Sequence, residues 1–173
     1  FVGLTGVLFS IFAHYTLSKS GIALMIAAIT GFLLQLVGLY FDREGDTLRV
    51  LVAVLDTNFW LSVHVTMMTM GYAAALVMAL MAHGYLMARI IGKRTFTQLS
   101  GLHTHTQIMM VIALFFSAFG TLLGGIWADQ SWGRFWGWDP KENGALLLTL
   151  WLIWAMHARI SRHFSADTLM III

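Results

Sequence analysis

Four of the seven tryptophans in this chain, Trp127, Trp132, Trp136 and Trp138, fall within twelve residues of one another. The heart of that stretch reads Trp132, Gly133, Arg134, Phe135, Trp136, Gly137, Trp138, Asp139, Pro140, Lys141, Glu142, Asn143. Three Trp and a Phe within seven residues, spaced by glycines that let the backbone turn sharply, make a rigid apolar plate. A plate of this kind suits a large flat ligand. Arg134 and Lys141 flank it and are placed to hold anionic substituents such as carboxylates, the arginine through a bidentate fork. Indoles gather at membrane surfaces in any case, which accounts for a single Trp but not for the string. The other donors are seven histidines, of which His64 stands nearest the plate in predicted depth. Nothing resembles a nucleophile and base pair, a phosphate cradle or a carboxylate dyad, so no residue is assigned a catalytic role.

The elements that position these groups follow from composition. Of 173 residues, 59% are hydrophobic and 10% charged, and mean hydropathy is +0.81. A soluble domain carries about a quarter charged residues, so this chain lacks the polar surface to stay in water. It reads as an all-α, polytopic transmembrane helix bundle forming a single membrane domain over residues 1–173. A formal charge of +2 is too small to imply nucleic-acid binding, no Lys/Arg run supports it, and no nucleic-acid partner is expected. The absence of Cys excludes disulfides, thiolate zinc sites, a C-x-x-C redox pair and a C-x-x-C-H attachment sequence. Phe1 is not an initiator Met and the sequence ends inside an apolar run, so a fragment of a longer chain is expected.

A span needs about 20 apolar residues, and five stretches qualify: residues 1–17, 22–41, 58–88, 108–126 and 140–158. The third is uncharged for 31 residues, or about 46 Å as helix, so its start, with His64, overshoots the hydrocarbon. The fourth is taken from residue 108 because Gln98, His103, His105 and Gln107 make the preceding segment polar. The fifth has a readable start, with Asp139 as N-cap, Pro140 at the first helical position and Glu142 at the third. With alternating loops, Lys19, Arg89, Lys93, Arg94, Arg159 and Arg162 share one side, against Arg43, Arg49, Arg134 and Lys141 on the other. The more basic side is expected to be cytoplasmic, which turns the Trp-rich loop outward.

The run from Gly120 to Asn143 closely resembles the tryptophan-rich "WWD" signature of the haem-handling proteins of cytochrome c biogenesis. Its Asp-Pro-Lys-Glu ending is most similar to the CcsA/ResC type (System II). Asn58-Phe59-Trp60, His64-Val65 and Gly71-Tyr72-Ala73 resemble that family's preceding helix. The likeness covers roughly residues 55–160; residues 1–54 share only their apolar character. It implies that haem b is carried as substrate to the outer face of an energy-transducing membrane, bacterial inner or organellar. There, with a ResB/CcsB-type partner, it is presented to apocytochrome c for covalent attachment, the chain thus forming part of a holocytochrome c synthase.

The same resemblance implies a haem-binding loop over residues 127–143, in which Trp127, Trp132, Arg134, Phe135, Trp136, Trp138, Asp139, Lys141 and Glu142 contact or order the porphyrin. It implies His64 as an outward axial ligand and His157 as a ligand of a site in the inner half of the bilayer. Each residue also has a plainer reading. His64 can be a structural hydrogen-bonder, His157 an anchor at the inner interface, Lys141 a solvated charge, and Asp139 with Glu142 a helix cap. His14 and His83 are weaker candidates to partner His157, and His103, His105 and His163 read as interfacial.

Three other functions stay open at this point: a CcmF-type ligase subunit, a cytochrome b-like electron carrier, and a non-catalytic membrane scaffold. The second would need two histidines on each of two helices. Only the third span has two, His64 and His83, 19 positions apart, or about 28 Å.

Overall fold

The computed structural model describes residues 21–42, 58–161 and 164–173, with positions 4, 7, 8, 11 and 15 ahead of them. The first expected span, the connection at residues 42–57 between the second and third expected spans, His14 and His163 lie largely or wholly outside these. Among the described residues the chain is helical without strands: α1 (Gly21–Asp42), α2 (Asn58–Trp60), a π-helical stretch Leu61–Val65, α3 (Thr66–Ile90), α4 (Phe96–Trp132), α5 (Pro140–Ile160) and α6 (Ala166–Ile172). Ser62–Ile90 and Phe96–Trp132 are long and apolar enough to cross a membrane. The molecule is an all-α helical membrane protein.

Lipid tails are as apolar as leucine, so burial alone does not hold such helices together; close backbone approach and van der Waals packing do. The α3–α4 pair shows this. A Cβ built on Gly71 would stand 2.7 Å from Ser117 Oγ and 2.9 Å from its backbone nitrogen. Around that contact Ala74, Val77, Met78 and Met81 of α3 pack against Met109, Met110 and Ala113 of α4, with Leu152 and Ala155 of α5 behind them.

Helix α4 begins twelve residues before the expected span. Thr95 and Gln98 form a capping box, the Thr95 N–H donating to Gln98 Oε1 at 2.9 Å, and that local chemistry starts the helix despite the polar residues that follow. At its other end α4 continues through Trp132 and stops at Gly133, whose φ of 67° is left-handed. A residue without Cβ takes that conformation at no steric cost. Trp127 and Trp132 therefore ride on a helix, and the loop proper shortens to residues 133–139. Helix α5 starts where the sequence puts it: the Asp139 carboxylate accepts from the N–H of Lys141 at 2.8 Å and of Glu142 at 2.9 Å.

The two ends of the bundle differ in charge. At the end away from the loop, the fully buried Tyr85 donates its hydroxyl to Asp167 Oδ1 at 2.6 Å. The Arg89 guanidinium pairs with the same carboxylate at 3.1 Å. Together they pin the first turn of α6 to α3, and the Tyr85 hydroxyl and the Arg89 cation hold the Asp167 carboxyl below its ordinary range. Lys93, Arg94 and Arg159 crowd the same end, whereas Arg134 and Lys141 sit at the other.

Candidate functional site

Between α3, α4, the loop and the first turn of α5 lies a cavity of about 860 Å³, toward the large end of the roughly 300–1,000 Å³ usual for ligand pockets. His64 enters its wall from the π-helical stretch. A π turn is rare and concentrates at functional positions; here it carries the ring against α4. His64 Nδ1 lies 2.9 Å from the Gly120 carbonyl oxygen. A carbonyl only accepts, so Nδ1 carries the proton and Nε2 keeps its lone pair. That is the tautomer a metal-ligating imidazole needs, with a backbone carbonyl on the other nitrogen to fix the ring.

The indoles are arranged in tiers. Trp127 lies 5.6 Å from the His64 ring at 59°, Trp132 lies 6.3 Å from Trp127, and Trp136 meets Trp138 edge-on at 6.2 Å. Trp60 Nε1 donates to Gln130 Oε1 at 3.1 Å, tying the start of the His64 helix to α4 beyond the cavity. Trp127 Nε1 and Trp136 Nε1 are buried without a hydrogen-bond partner among the described residues. A stranded buried donor is costly, and both of these belong to side chains that line the cavity.

The loop holds its shape through polar contacts. Glu142 pairs with Arg134 at 3.2 Å and accepts the N–H of Gly137 at 2.7 Å. Asn143 Nδ2 donates to the Trp138 carbonyl at 2.9 Å. Trp138 itself has φ of 58°, a strained value for a bulky residue that persists only where its surroundings impose it. Backbone N–H groups of Glu142 and Lys141 hold the Asp139 carboxyl below its ordinary range, against some desolvation, with Arg134 and Lys141 adding their charges.

Of the residues singled out in the sequence, His64, Trp127, Trp132, Arg134, Trp136, Asp139, Lys141 and Glu142 line this one cavity. Phe135 does not line it; its ring lies on Gly125, where a Cβ would come within 2.5 Å. Trp138 stands off the rim, 70% exposed. His157 is elsewhere, 17 residues along α5 from Pro140, or about 25 Å. Its exposed ring bonds to the Ile153 carbonyl one turn back at 2.8 Å. His83 is likewise bonded within its own helix, to Ala79 O at 2.7 Å. Because Arg134 is engaged by Glu142, Lys141 is the cavity cation without an ion-pair partner among the described residues.

Sequence reasoning passed over Met68, Thr69, Tyr72 and Thr121, which also line the cavity. Tyr72 lies eight residues after His64, about 80° round the helix and so within one broad stripe with it; that signal was present. The Gly120 carbonyl carried none, being a backbone group supplied by a neighbouring helix.

The arrangement fits a flat iron macrocycle: aromatic walls, two unspent indole donors, one imidazole with a free nitrogen, and cations at the mouth. Among the described residues no three His, Cys, Asp or Glu side chains cluster as a bare-metal site.

Residues 1–173 match the family described as cytochrome C assembly protein. Protein NrfI of Wolinella succinogenes is 31% identical over 92% of this chain and 17% of its own length. The cytochrome c biogenesis protein CcsA of Chlamydomonas reinhardtii is 30% identical over 72% of this chain and 36% of its own. CcsA of a Synechococcus strain is 30% identical over 80% of this chain and 55% of its own. The chain thus spans about half or less of the length of these relatives. No solved structure matches it.

Proposed function

This chain belongs to the cytochrome c assembly protein family, and from that premise we propose that it holds haem b, as carried substrate, in the cavity between His64 and the Trp-rich loop. The observation that carries the reading is the His64 imidazole, bonded through Nδ1 to the Gly120 carbonyl and keeping Nε2 for iron on the wall of an aromatic cavity of about 860 Å³.

In this reading each residue has a positional task. His64 would supply an imidazole nitrogen to the iron. Trp127, Trp132 and Trp136 would pack against the porphyrin, and the buried Nε1 groups of Trp127 and Trp136 would offer it hydrogen-bond donors. Lys141, with Arg134 beside it, takes the carboxylates. Phe135 supports the loop through Gly125, Trp138 shields the mouth, and Asp139 with Glu142 fixes the loop to α5. When bound, haem would supply the iron and the vinyl groups for thioether attachment. The chain contributes orientation and exclusion of water, which lower the entropic cost of that encounter, and no acid or base of its own is assigned a step.

The concentration of Arg89, Lys93, Arg94 and Arg159 at the opposite end supports an outward-facing loop in a bacterial inner or organellar membrane. A ResB/CcsB-type partner would bring apocytochrome c to the open edge. His157, exposed on the bundle surface, would serve an inner-half haem site whose second ligand comes from that partner. The test is haem content and visible spectrum of the purified, haem-loaded His64→Ala protein. Loss of the imidazole-ligated signature supports the reading; an unchanged spectrum removes it.

A further inference from the structure

Gly124 follows Gly120 by one helical turn on α4, and its empty side lies directly under the His64 ring. A Cβ built there would stand 2.6 Å from Cε1, 3.1 Å from Nδ1 and 3.4 Å from Nε2 of that imidazole. The three nearest neighbours are all atoms of one ring, and the closest approach is shorter than side-chain carbons tolerate. The ring therefore occupies the space that any other residue at 124 would fill. The hydrogen bond to Gly120 O at 2.9 Å requires the ring to lie this close to the α4 backbone.

We propose that Gly124 is a positioning residue for iron ligation: by lacking a side chain, it lets the His64 imidazole lie close against α4, where the Gly120 carbonyl fixes the tautomer protonated at Nδ1. This rests on the haem-holding reading above and goes further by naming the groove that makes His64 competent. A methyl at 124 would push the ring off its carbonyl partner, releasing both its orientation and its tautomer. Outer-shell partners of metal-bound histidines are worth about 10–100-fold in affinity, and a loss in that range is the expected size.

The experiment uses the full chain in detergent, loaded with haem, and compares Gly124→Ala, His64→Ala, the double variant and Gly84→Ala. Gly84 is a helical glycine of α3 with nothing within 4 Å of its Cβ position. Gly124→Ala is expected to lose the imidazole-ligated spectrum and about 10–100-fold in haem affinity, the double variant to match His64→Ala alone, and Gly84→Ala to keep the native spectrum. A folded Gly124→Ala protein with the native spectrum overturns the proposal. Should Gly124→Ala fail to fold, the double variant decides. Removing the ring removes the clash, so recovered folding supports the seat, whereas continued failure means that Gly124 serves helix packing and overturns it. If His64→Ala itself keeps the native spectrum, the haem reading fails, whatever Gly124→Ala does.

Discussion

Glu142 closes an ion pair with Arg134 across the loop at 3.2 Å while its other carboxylate oxygen accepts the Gly137 N–H at 2.7 Å. One side chain in the first turn of α5 thus gathers three parts of the loop: Arg134, Gly137 and, through the Asp139 N–H at 3.3 Å, the cap itself. Glu142→Ala should release all of them and lower stability by about 2 kcal/mol, the size of a hydrogen bond to a charged group. Glu142→Gln keeps an acceptor for Gly137 and should lose less. Thermal unfolding followed by Trp fluorescence separates the two; equal losses would mean that the ion pair alone matters.

The Asp139 cap gives a pH dependence. Its carboxyl titrates below the ordinary 3.8, first because the Glu142 N–H donates to the ionised form and then because that of Lys141 does. The group is more acidic folded than unfolded, so its contribution is complete above about pH 4 and drains away as pH falls through the lowered value. Asp139→Asn keeps an acceptor but does not titrate. The stability difference between wild type and Asp139→Asn should stay constant from about pH 7 to 5 and shrink below about pH 4. A difference that grows on acidification would contradict the assignment.

The stranded indole donors give a prediction with opposite signs in two states. Trp127→Phe removes a buried N–H that has no partner in the ligand-free protein, so apo stability should hold or rise slightly despite the smaller ring. Haem affinity should fall, by about 1–3 kcal/mol if that N–H finds an acceptor on the ligand. Titration of the apo protein with haem measures the second effect, and equal affinity for both proteins would exclude the donor role.

At the far end, Asp167→Ala strips the partner from the buried Tyr85 hydroxyl. The cost should be about 1–3 kcal/mol from the orphaned hydroxyl, with little added by the half-exposed Arg89 pair. Tyr85→Phe in the same background should recover most of it. Haem affinity should not change in either variant, because the cavity lies at the opposite end; a drop would reveal coupling between the two ends.

What could be read from the residues alone was whatever chemistry is local. Asp139, Pro140 and Glu142 specify a helix start within four positions, and α5 begins there. The crowding of indoles marked the cavity wall. The start of α4 was equally local, since Thr95 and Gln98 have capping-box spacing, but the polar residues after them outweighed it. The π turn at Leu61–Val65 and the bond from His64 to Gly120 were not legible. They arise from α4 lying close enough to receive the ring, and a contact 56 positions apart leaves no mark on hydropathy. The same holds for Trp127 and Trp132: Asp129 and Gln130 read as loop residues, yet the helix carries them on until Gly133 turns it off.

Helix α4 is a rod of 37 residues, about 55 Å long, set in an oil layer only about 30 Å deep. A lean of about 20° shortens its vertical reach by a few ångström and no more. With the span expected at residues 108–126, the surplus on one side holds the turns that bear Trp127 and Trp132. In the haem-holding reading proposed above, the cavity wall that these indoles form would then stand clear of the hydrocarbon by virtue of length alone.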